Sequence, residues 1–337
     1  MNHKVLSVSV AAYNVAATLR ETLDSFIGSD VLEQLDVMIV NDGSTDQTAD
    51  VAREYVERYP DTFRLIDKEN GGWGSTVNAG IQQAHGLYFK QLDGDDHFQR
   101  DNLPSYLAML ARSKADLVIS PYVEYDEQTG KVLADKDCNP GCQTGKLYSL
   151  TELNEFSPFM HSIAVRTECL RDRVHITEHC FYTDTEFVLK SCNQVQTVEF
   201  FDKPIYCYRR AAAGQSMSLT GLEKHYQDQT RVITELLDYR DTSVTRPEVR
   251  RIFDKLLGGT CFWQYLVLLY IQPTRAHKHH LMEYDAMLKR RAPDYYEAVT
   301  LDYLRRLRKL HFWGYSYYAR KQKKLDNHFS DDGRMLY

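Results

Sequence analysis

The sequence has no apolar run of the roughly 20 residues that a membrane-spanning helix needs. Its longest uncharged stretch, Leu256–Ile271, falls short of that length and reads as a buried core helix. Residues Met1 to Val10 show neither a long apolar core nor a cleavage site, so no secretory signal is expected and the chain reads as cytoplasmic. Cysteine is sparse and odd in number, with seven residues scattered from Cys138 to Cys261. No two of them make paired Cys-x-x-Cys knuckles, which argues against a structural zinc site. Free thiols are expected, and only Cys138 and Cys142 sit close enough in sequence to clamp a loop. There is no excess of basic charge: 41 Lys plus Arg against 47 Asp plus Glu give a net charge of −6. A dedicated nucleic-acid binder is a poor fit to that balance. Two phosphate loops are also missing. No Gly-x-Gly-x-x-Gly follows the first strand and no Gly-x-x-x-x-Gly-Lys-Ser/Thr occurs anywhere, which excludes the dinucleotide and P-loop binding units.

What remains is a chain of 337 residues, 43% apolar and 26% charged, ordinary for a soluble globular protein of about two domains. From Val5 to about Leu117, short apolar runs alternate with helical periodicity. Strands are expected at Val5–Ala12, Asp36–Val40, Phe63–Ile66, Leu87–Leu92 and Leu117–Ser120. Helices are expected at Thr18–Phe26, Thr45–Tyr59, about Gly74–Ala84 and about Leu103–Arg112. Such alternation implies right-handed crossovers and an α/β fold with a mostly parallel central sheet flanked by helices. Tyr122–Ala134 reads as a hairpin about Gln128-Thr129-Gly130. Beyond about Leu222 the chain turns helical and aromatic-rich. The expected division is therefore 1–221, in two halves at 1–115 and 116–221, followed by a C-terminal helical region at 222–337.

Each of the first four strands ends in a polar turn: Ala12-Tyr13-Asn14, Asn41-Asp42-Gly43-Ser44, Asn70-Gly71-Gly72-Trp73-Gly74 and Asp93-Gly94-Asp95-Asp96. In an open parallel sheet these carboxyl ends share one edge, where ligands bind. Any one turn is explained by ordinary turn chemistry, and Asp42 alone reads equally as a turn carboxylate or as an acceptor for a ribose hydroxyl or base imide. Three carboxylates within four residues, at Asp93, Asp95 and Asp96, repel one another unless a cation sits among them. Oxygen ligands of this kind suit Mg²⁺ or Mn²⁺, and Gly94 lets backbone approach a ligand closely. A solvated acidic turn capping the next helix is the plainer alternative.

These turns resemble glycosyltransferase family 2, the inverting nucleotide-sugar transferases of GT-A fold, and within it bacterial polysaccharide transferases. The likeness runs from Leu6 to about Met109 and resumes more weakly from Met160 to Ser218. It implies nucleotide-sugar contacts from Ala12, Tyr13, Asn14, Asp42, Asn70, Trp73, Asn78, Asp93 and Gly94. Asp93 and Asp95 would hold Mn²⁺ or Mg²⁺ as a D-x-D pair. The family often has Arg before the Asn of its third block; here Val77 precedes Asn78, which throws weight on the metal and on Arg209 as a substitute cation. Tyr208-Arg209-Arg210 and Gln215–Ser218 resemble a closing segment, and His161 falls where relatives line the acceptor cleft.

Inverting sugar transfer needs one carboxylate base to take the acceptor hydroxyl's proton. Phe181–Leu189 resembles the family's Glu-Asp motif, with Asp184 matching its Asp, and Glu186 is the second candidate. On a helix the two point to nearly opposite faces, so only one reaches the site. The implied partners are a UDP-sugar donor and a glycan or lipid-linked acceptor, with no nucleic acid. Basic residues interleaved with aromatics over Tyr303–Lys324 suit peripheral contact with an anionic membrane, and equally a solvated face over core aromatics. Two rivals stay open: a catalytically degenerate nucleotide-binding or assembly module, and a D-x-D phosphohydrolase using Asp93 as nucleophile. The second usually has Thr or Val where His97 stands.

Overall fold

The structure, a computed structural model, describes residues 4–28, 31–126, 129–137, 141–210 and 218–325, without the side chains of 322–325. Gln128, Cys138 and Gln215–Met217, part of the hairpin turn, the cysteine pair and the closing segment, lie outside the described residues. Two compact units emerge. One comprises the described residues of Met1–Arg210 with Arg246–Ile252, the other those of Ala211–Thr245 with Phe253–Tyr337.

The first unit is built on β1 (Leu6–Ala12), α1 (Leu19–Asp24), β2 (Leu35–Asp42), α2 (Thr48–Arg58), β3 (Phe63–Lys68), α3 (Trp73–Gln83) and β4 (Tyr88–Asp93). Next come β5 (His97–Phe98), α4 (Leu103–Arg112), β6 (Leu117–Ile119), β7 (Tyr122–Asp126), β8 (Val132–Lys136) and β9 (Tyr148–Ser149). The unit then continues with β10 (Ile163–Arg166), α5 (Thr167–Leu170), α6 (Asp184–Cys192), β11 (Thr197–Phe200) and β12 (Tyr206–Arg210). Among the described residues the main sheet runs β3-β2-β1-β4-β10-β6-β11-β9, and a smaller sheet runs β5-β12-β7-β8.

Every residue of β2, and all of β1 except Ala11, is buried. Strands covered on both faces need continuous apolar runs, which is why these were readable as strands. β1 pairs in parallel with β2 and β4, and β2 with β3. The fifth strand of the sequence, β6, does not join β4 directly. β10 inserts between them and runs antiparallel to both, so this half of the sheet is mixed. Register sets the functional edge: Ala12 lies opposite Asn41, Ala11 opposite Asp93, and Asp42 opposite Lys68.

The second unit holds α7 (Leu219–Ser243), most of α8 (Pro247–Tyr270), α9 (Arg275–Arg291), α10 (Pro293–Ala298), α11 (Asp302–Lys309) and α12 (Tyr315–Leu325). Its core includes Leu236, Leu257, Tyr265, Leu281, Tyr284 and Leu288, all at most 1% exposed. The expected core helix at Leu256–Ile271 is thus the latter part of α8 with one residue beyond. No helix among the described residues is long and apolar enough to cross a membrane. Cys142, Cys169, Cys192, Cys207 and Cys261 are free thiols.

Candidate active site

The end of β2 is a packing hub. Asp42 is 2% exposed. Its Oδ1 accepts hydrogen bonds from Lys68 Nζ (2.7 Å), Gly71 N (2.9 Å) and Ser75 Oγ (3.1 Å), and its Oδ2 from Gly72 N (2.8 Å). A carboxylate has about four acceptor directions, so little capacity remains for a ribose or base. Asp42, expected at the donor, is here held by the glycine block and Lys68, which its charge helps to fold. Asn70 joins the same hub, its Nδ2 donating to Asp42 O at 2.9 Å, while the side chain stays exposed. Asn14, in left-handed backbone at φ 53°, accepts from Thr45 N at Oδ1 (2.8 Å) and donates its own N–H to Ser44 Oγ (3.0 Å), tying the first turn to the second. Ala12 is buried and Tyr13 is 52% exposed, so within that turn Tyr13 offers the open side chain.

The end of β4 has the opposite character. Trp73 Nε1 donates to Asp93 Oδ1 at 2.7 Å, while its indole meets Phe187 edge-on at 6.4 Å. Burial pushes the Asp93 carboxyl up to about 7, the Asp95 and Asp184 charges push the same way, and the Trp73 hydrogen bond opposes them. Asp96 is buried, accepting from Tyr206 Oη (2.6 Å) and Arg209 N (2.7 Å), and burial followed by Asp95 and Asp93 raises it well above the usual carboxylate range. Gly94 packs on β1 rather than serving a ligand: its N–H donates to Ala11 O at 2.9 Å, and a Cβ there would sit 2.7 Å from that oxygen. Arg209 also departs from expectation. Its guanidinium donates to Asp95 O (2.5 Å) and Glu21 Oε2 (2.5 Å) and lies over the Tyr125 ring, bracing the acidic turn.

His161 is not in an open cleft. It packs against Tyr122, Tyr206 and Tyr208 at 4.6–5.1 Å between ring centres, and burial with the nearby Lys90 charge holds it neutral, at about 3. Its Nδ1 is buried without a hydrogen-bond partner. A ring nitrogen of His161 and carboxylate oxygens of Asp93 and Asp96 all lie within 4.8 Å of one another. Neutral imidazole with two carboxylates is a donor set that suits a divalent cation, and Asp95 adds charge beside it. The residues present therefore fit a metal, although the group brought together is Asp93–Asp96–His161 rather than the Asp93–Asp95 pair alone.

Asp184 opens α6. Desolvation by the surrounding chain raises its pKa above the usual carboxylate range, while the Thr185 N–H opposes the rise. Its charge adds to the rise at Asp93, so the two carboxylates lie within electrostatic range of each other. Glu186 is fully buried and cannot serve as a base. It accepts from Thr177 N (3.2 Å), Thr177 Oγ1 (3.1 Å) and Lys190 Nζ (2.6 Å). Asn78 is likewise structural, its amide clamping Ile176 through both O (2.9 Å) and N (2.8 Å) and donating to Glu178 (3.0 Å). Together these residues strap segment 175–180 over the glycine block, where a Cβ on Gly74 would overlap Thr177 O.

The family model described as glycosyl transferase family 2 matches residues 7–171, a span containing all four strand-end turns. Residues 7–171 belong to glycosyl transferase family 2. The fold continues beyond that span. S. aureus TarS 1-349, solved in complex with UDP-GlcNAc, superposes with a TM-score of 0.65 at 17% identity over 97% of this chain and 95% of that one. A mannosyltransferase from Pyrobaculum calidifontis, solved with GDP-Man and Mn²⁺, gives a TM-score of 0.54 at 17% identity, covering 96% of this chain and 87% of that one. The GT-A fold expected from the sequence is therefore present. Among relatives, the chondroitin synthase of Pasteurella multocida is 26% identical over 239 residues, covering 71% of this chain but only 24% of that protein.

Two residues of the first unit, Lys90 and Tyr206, were missed by sequence reasoning. Lys90, fully buried in β4, donates to His161 O (2.7 Å) and Ile163 O (3.1 Å) and lies 5.9 Å from the Tyr206 ring centre. A single lysine inside an apolar strand was the available signal. Tyr206, whose hydroxyl also receives the Asp93 N–H at 3.2 Å, gave no signal beyond being aromatic. Val77, in the position of the missing arginine, is fully buried in α3.

Proposed function

We propose that this chain transfers a sugar from a nucleoside diphosphate, a UDP-sugar, to a hydroxyl of a glycan or lipid-linked acceptor in bacterial polysaccharide synthesis, inverting the anomeric centre. The observation that carries this reading is the cluster at the end of β4, where ligand atoms of Asp93, Asp96 and His161 lie within 4.8 Å of one another and the Asp184 charge is near enough to add to the rise that burial imposes on Asp93. One group there can neutralise a donor's phosphates and the other can accept a proton.

Asp93 and Asp95, the latter the more open of the turn's last two carboxylates, would hold Mn²⁺ or Mg²⁺, with Asp96 and the unpartnered His161 nitrogen beneath. When bound, the cation neutralises the diphosphate and stabilises the charge that develops on it as it leaves. Asp184 takes the acceptor hydroxyl's proton as that oxygen attacks the anomeric carbon, and the bond to the diphosphate breaks from the opposite side. Its raised proton affinity suits that task. Trp73 fixes Asp93 by one hydrogen bond, and Tyr13 is the exposed aromatic available to the nucleotide. Support for the UDP donor comes from the TarS complex, and for the acceptor class from the chondroitin synthase likeness. Against phosphohydrolase chemistry, Asp93 closes the fourth strand and is held by Trp73.

The test is UDP release from a panel of UDP-sugars with Mn²⁺, for the native chain and Asp184→Asn. Release by the native chain alone is the expected result. Binding of UDP and Mn²⁺ without turnover on any donor would instead make the chain a nucleotide-binding module.

A further inference from the structure

The stretch from Asp302 to Lys321 looks uniformly basic and aromatic in sequence, but the structure sorts it into two sets. One set turns inward. Arg308 pairs with Asp285 at 2.8 Å and lies 3.7 Å from the Tyr296 ring centre, while Leu304, Leu307, Phe312 and Ala319 are buried. Tyr315 is also buried, donating its hydroxyl proton to Leu268 O at 2.8 Å. These residues account for the core reading of the segment.

The other set turns outward in a regular pattern. On α11 the exposed residues are Asp302, Arg305, Arg306, Lys309 and, just beyond its end, Leu310. That spacing is one face of a helix. From the turn into α12 the exposed set continues with His311, Trp313, Ser316, Tyr317, Arg320 and Lys321, those from Trp313 on at helical spacing. Trp313 is 76% exposed, Tyr317 64% and Leu310 45%. A tryptophan this open, next to an open tyrosine and leucine, is apolar surface that a protein in water alone gains nothing by showing. Five exposed cations flank it along the chain, Arg305, Arg306 and Lys309 before it and Arg320 and Lys321 after it. Asp302 is the only exposed acid between residues 302 and 321, and it lies 3.8 Å from Arg305. The chain as a whole is acidic, so this concentration of one sign is local.

We propose that the outward faces of α11 and α12 form a docking surface for an anionic lipid bilayer. Trp313, Tyr317 and Leu310 enter the headgroup boundary while Arg305, Arg306, Lys309, Arg320 and Lys321 meet the lipid phosphates. Amphipathic aromatic rings prefer that boundary, and surface cations are attracted to anionic headgroups. RNA would explain the cations and leave the open leucine unused. A protein partner would leave unexplained why nearly all the charge has one sign. The inference is independent of which sugar is transferred and of whether transfer occurs.

The test is sedimentation of the full chain with vesicles of phosphatidylcholine alone or mixed with phosphatidylglycerol, at low and high salt. The expected result is retention on the mixed vesicles at low salt and none on phosphatidylcholine, with a blue shift of tryptophan emission on binding. The shift should vanish in Trp313→Phe. Each cation removed should weaken retention about fivefold, so Arg305→Gln, Arg306→Gln and Lys309→Gln together should weaken it about a hundredfold. Trp313→Ala with Tyr317→Ala should weaken it while leaving its salt dependence in place. All of these side chains are exposed, and unchanged thermal melting shows that each variant folds. Equal retention on both vesicles, undiminished retention by both sets of variants, or a shift of RNA without retention on any vesicle would overturn the proposal.

Discussion

Asp42 and Asp93 make the instructive comparison. Each is the last residue of a buried parallel strand, each is followed by glycine, and both lie on the same edge of the sheet. Around Asp42 the chain supplies two backbone N–H groups, a hydroxyl and the Lys68 ammonium, so its charge is matched within the fold. Around Asp93 it supplies one indole N–H and three further carboxylates, and the charge is left unmatched. A carboxylate saturated by donors builds structure. One that is crowded by its own kind stores a demand for a cation or a proton, and that demand is what a transferase of charged donors can use.

The comparison can be tested from both ends. The largest effect is expected at the far side of the unmatched cluster. Asp184→Asn should lower kcat by about 10²- to 10⁴-fold while UDP binding persists. Full turnover in that variant would remove Asp184 as the base. At the matched site, Asp42→Ala removes the buried partner of Lys68 and of two N–H groups, and denaturant unfolding should show a loss of about 3 kcal/mol. A loss confined to UDP affinity, with stability unchanged, would restore Asp42 as a donor contact.

Asp93 should behave in the reverse sense. Its folded pKa, about 7, lies above the ordinary carboxylate value. Between about pH 4 and 7 the folded protein therefore holds a proton that the unfolded chain has released. The stabilisation is complete below the unfolded value and is lost as pH rises through about 7. In metal-free buffer, stability should fall over that window, and Asp93→Asn should flatten the profile and gain about 1–2 kcal/mol at pH 8. Added Mn²⁺ should flatten the native profile as well. The smallest expected change is at the strap: Asn78→Ala should reduce unfolding free energy by about 1–2 kcal/mol by freeing Ile176 N and O. No change there would mean that Glu186 and Gly74 hold segment 175–180 unaided.

The four strands that carry the site were legible because burial on both faces demands continuous apolar runs, and the polar turns stood out against them. The order of the sheet was not. β10 lies between β4 and β6 because of pairings with residues more than forty positions away, a partnership that local periodicity does not record. The site was legible by residue type and not by orientation. Asp42 and Asp93 look alike in sequence, and only the glycine block folded against the first separates them. Asp184 and Glu186 are two residues apart on one helix, and Lys190 with Thr177 turns the second into a strut. His161 and Arg209 were noticed as chemistry-bearing side chains, but the aromatic cage about one and the Glu21 brace on the other depend on elements distant in sequence.

The central claim is that the crowded carboxylates at the end of β4 bind a cation that in turn receives the donor's phosphates. Calorimetric titration of UDP into the native chain and into Asp95→Asn, each with and without Mn²⁺, tests it most directly. The account predicts that Mn²⁺ tightens UDP binding to the native chain at least tenfold, about 1.4 kcal/mol, and leaves the variant unaffected. UDP affinity that is the same with and without the metal in both proteins would contradict it.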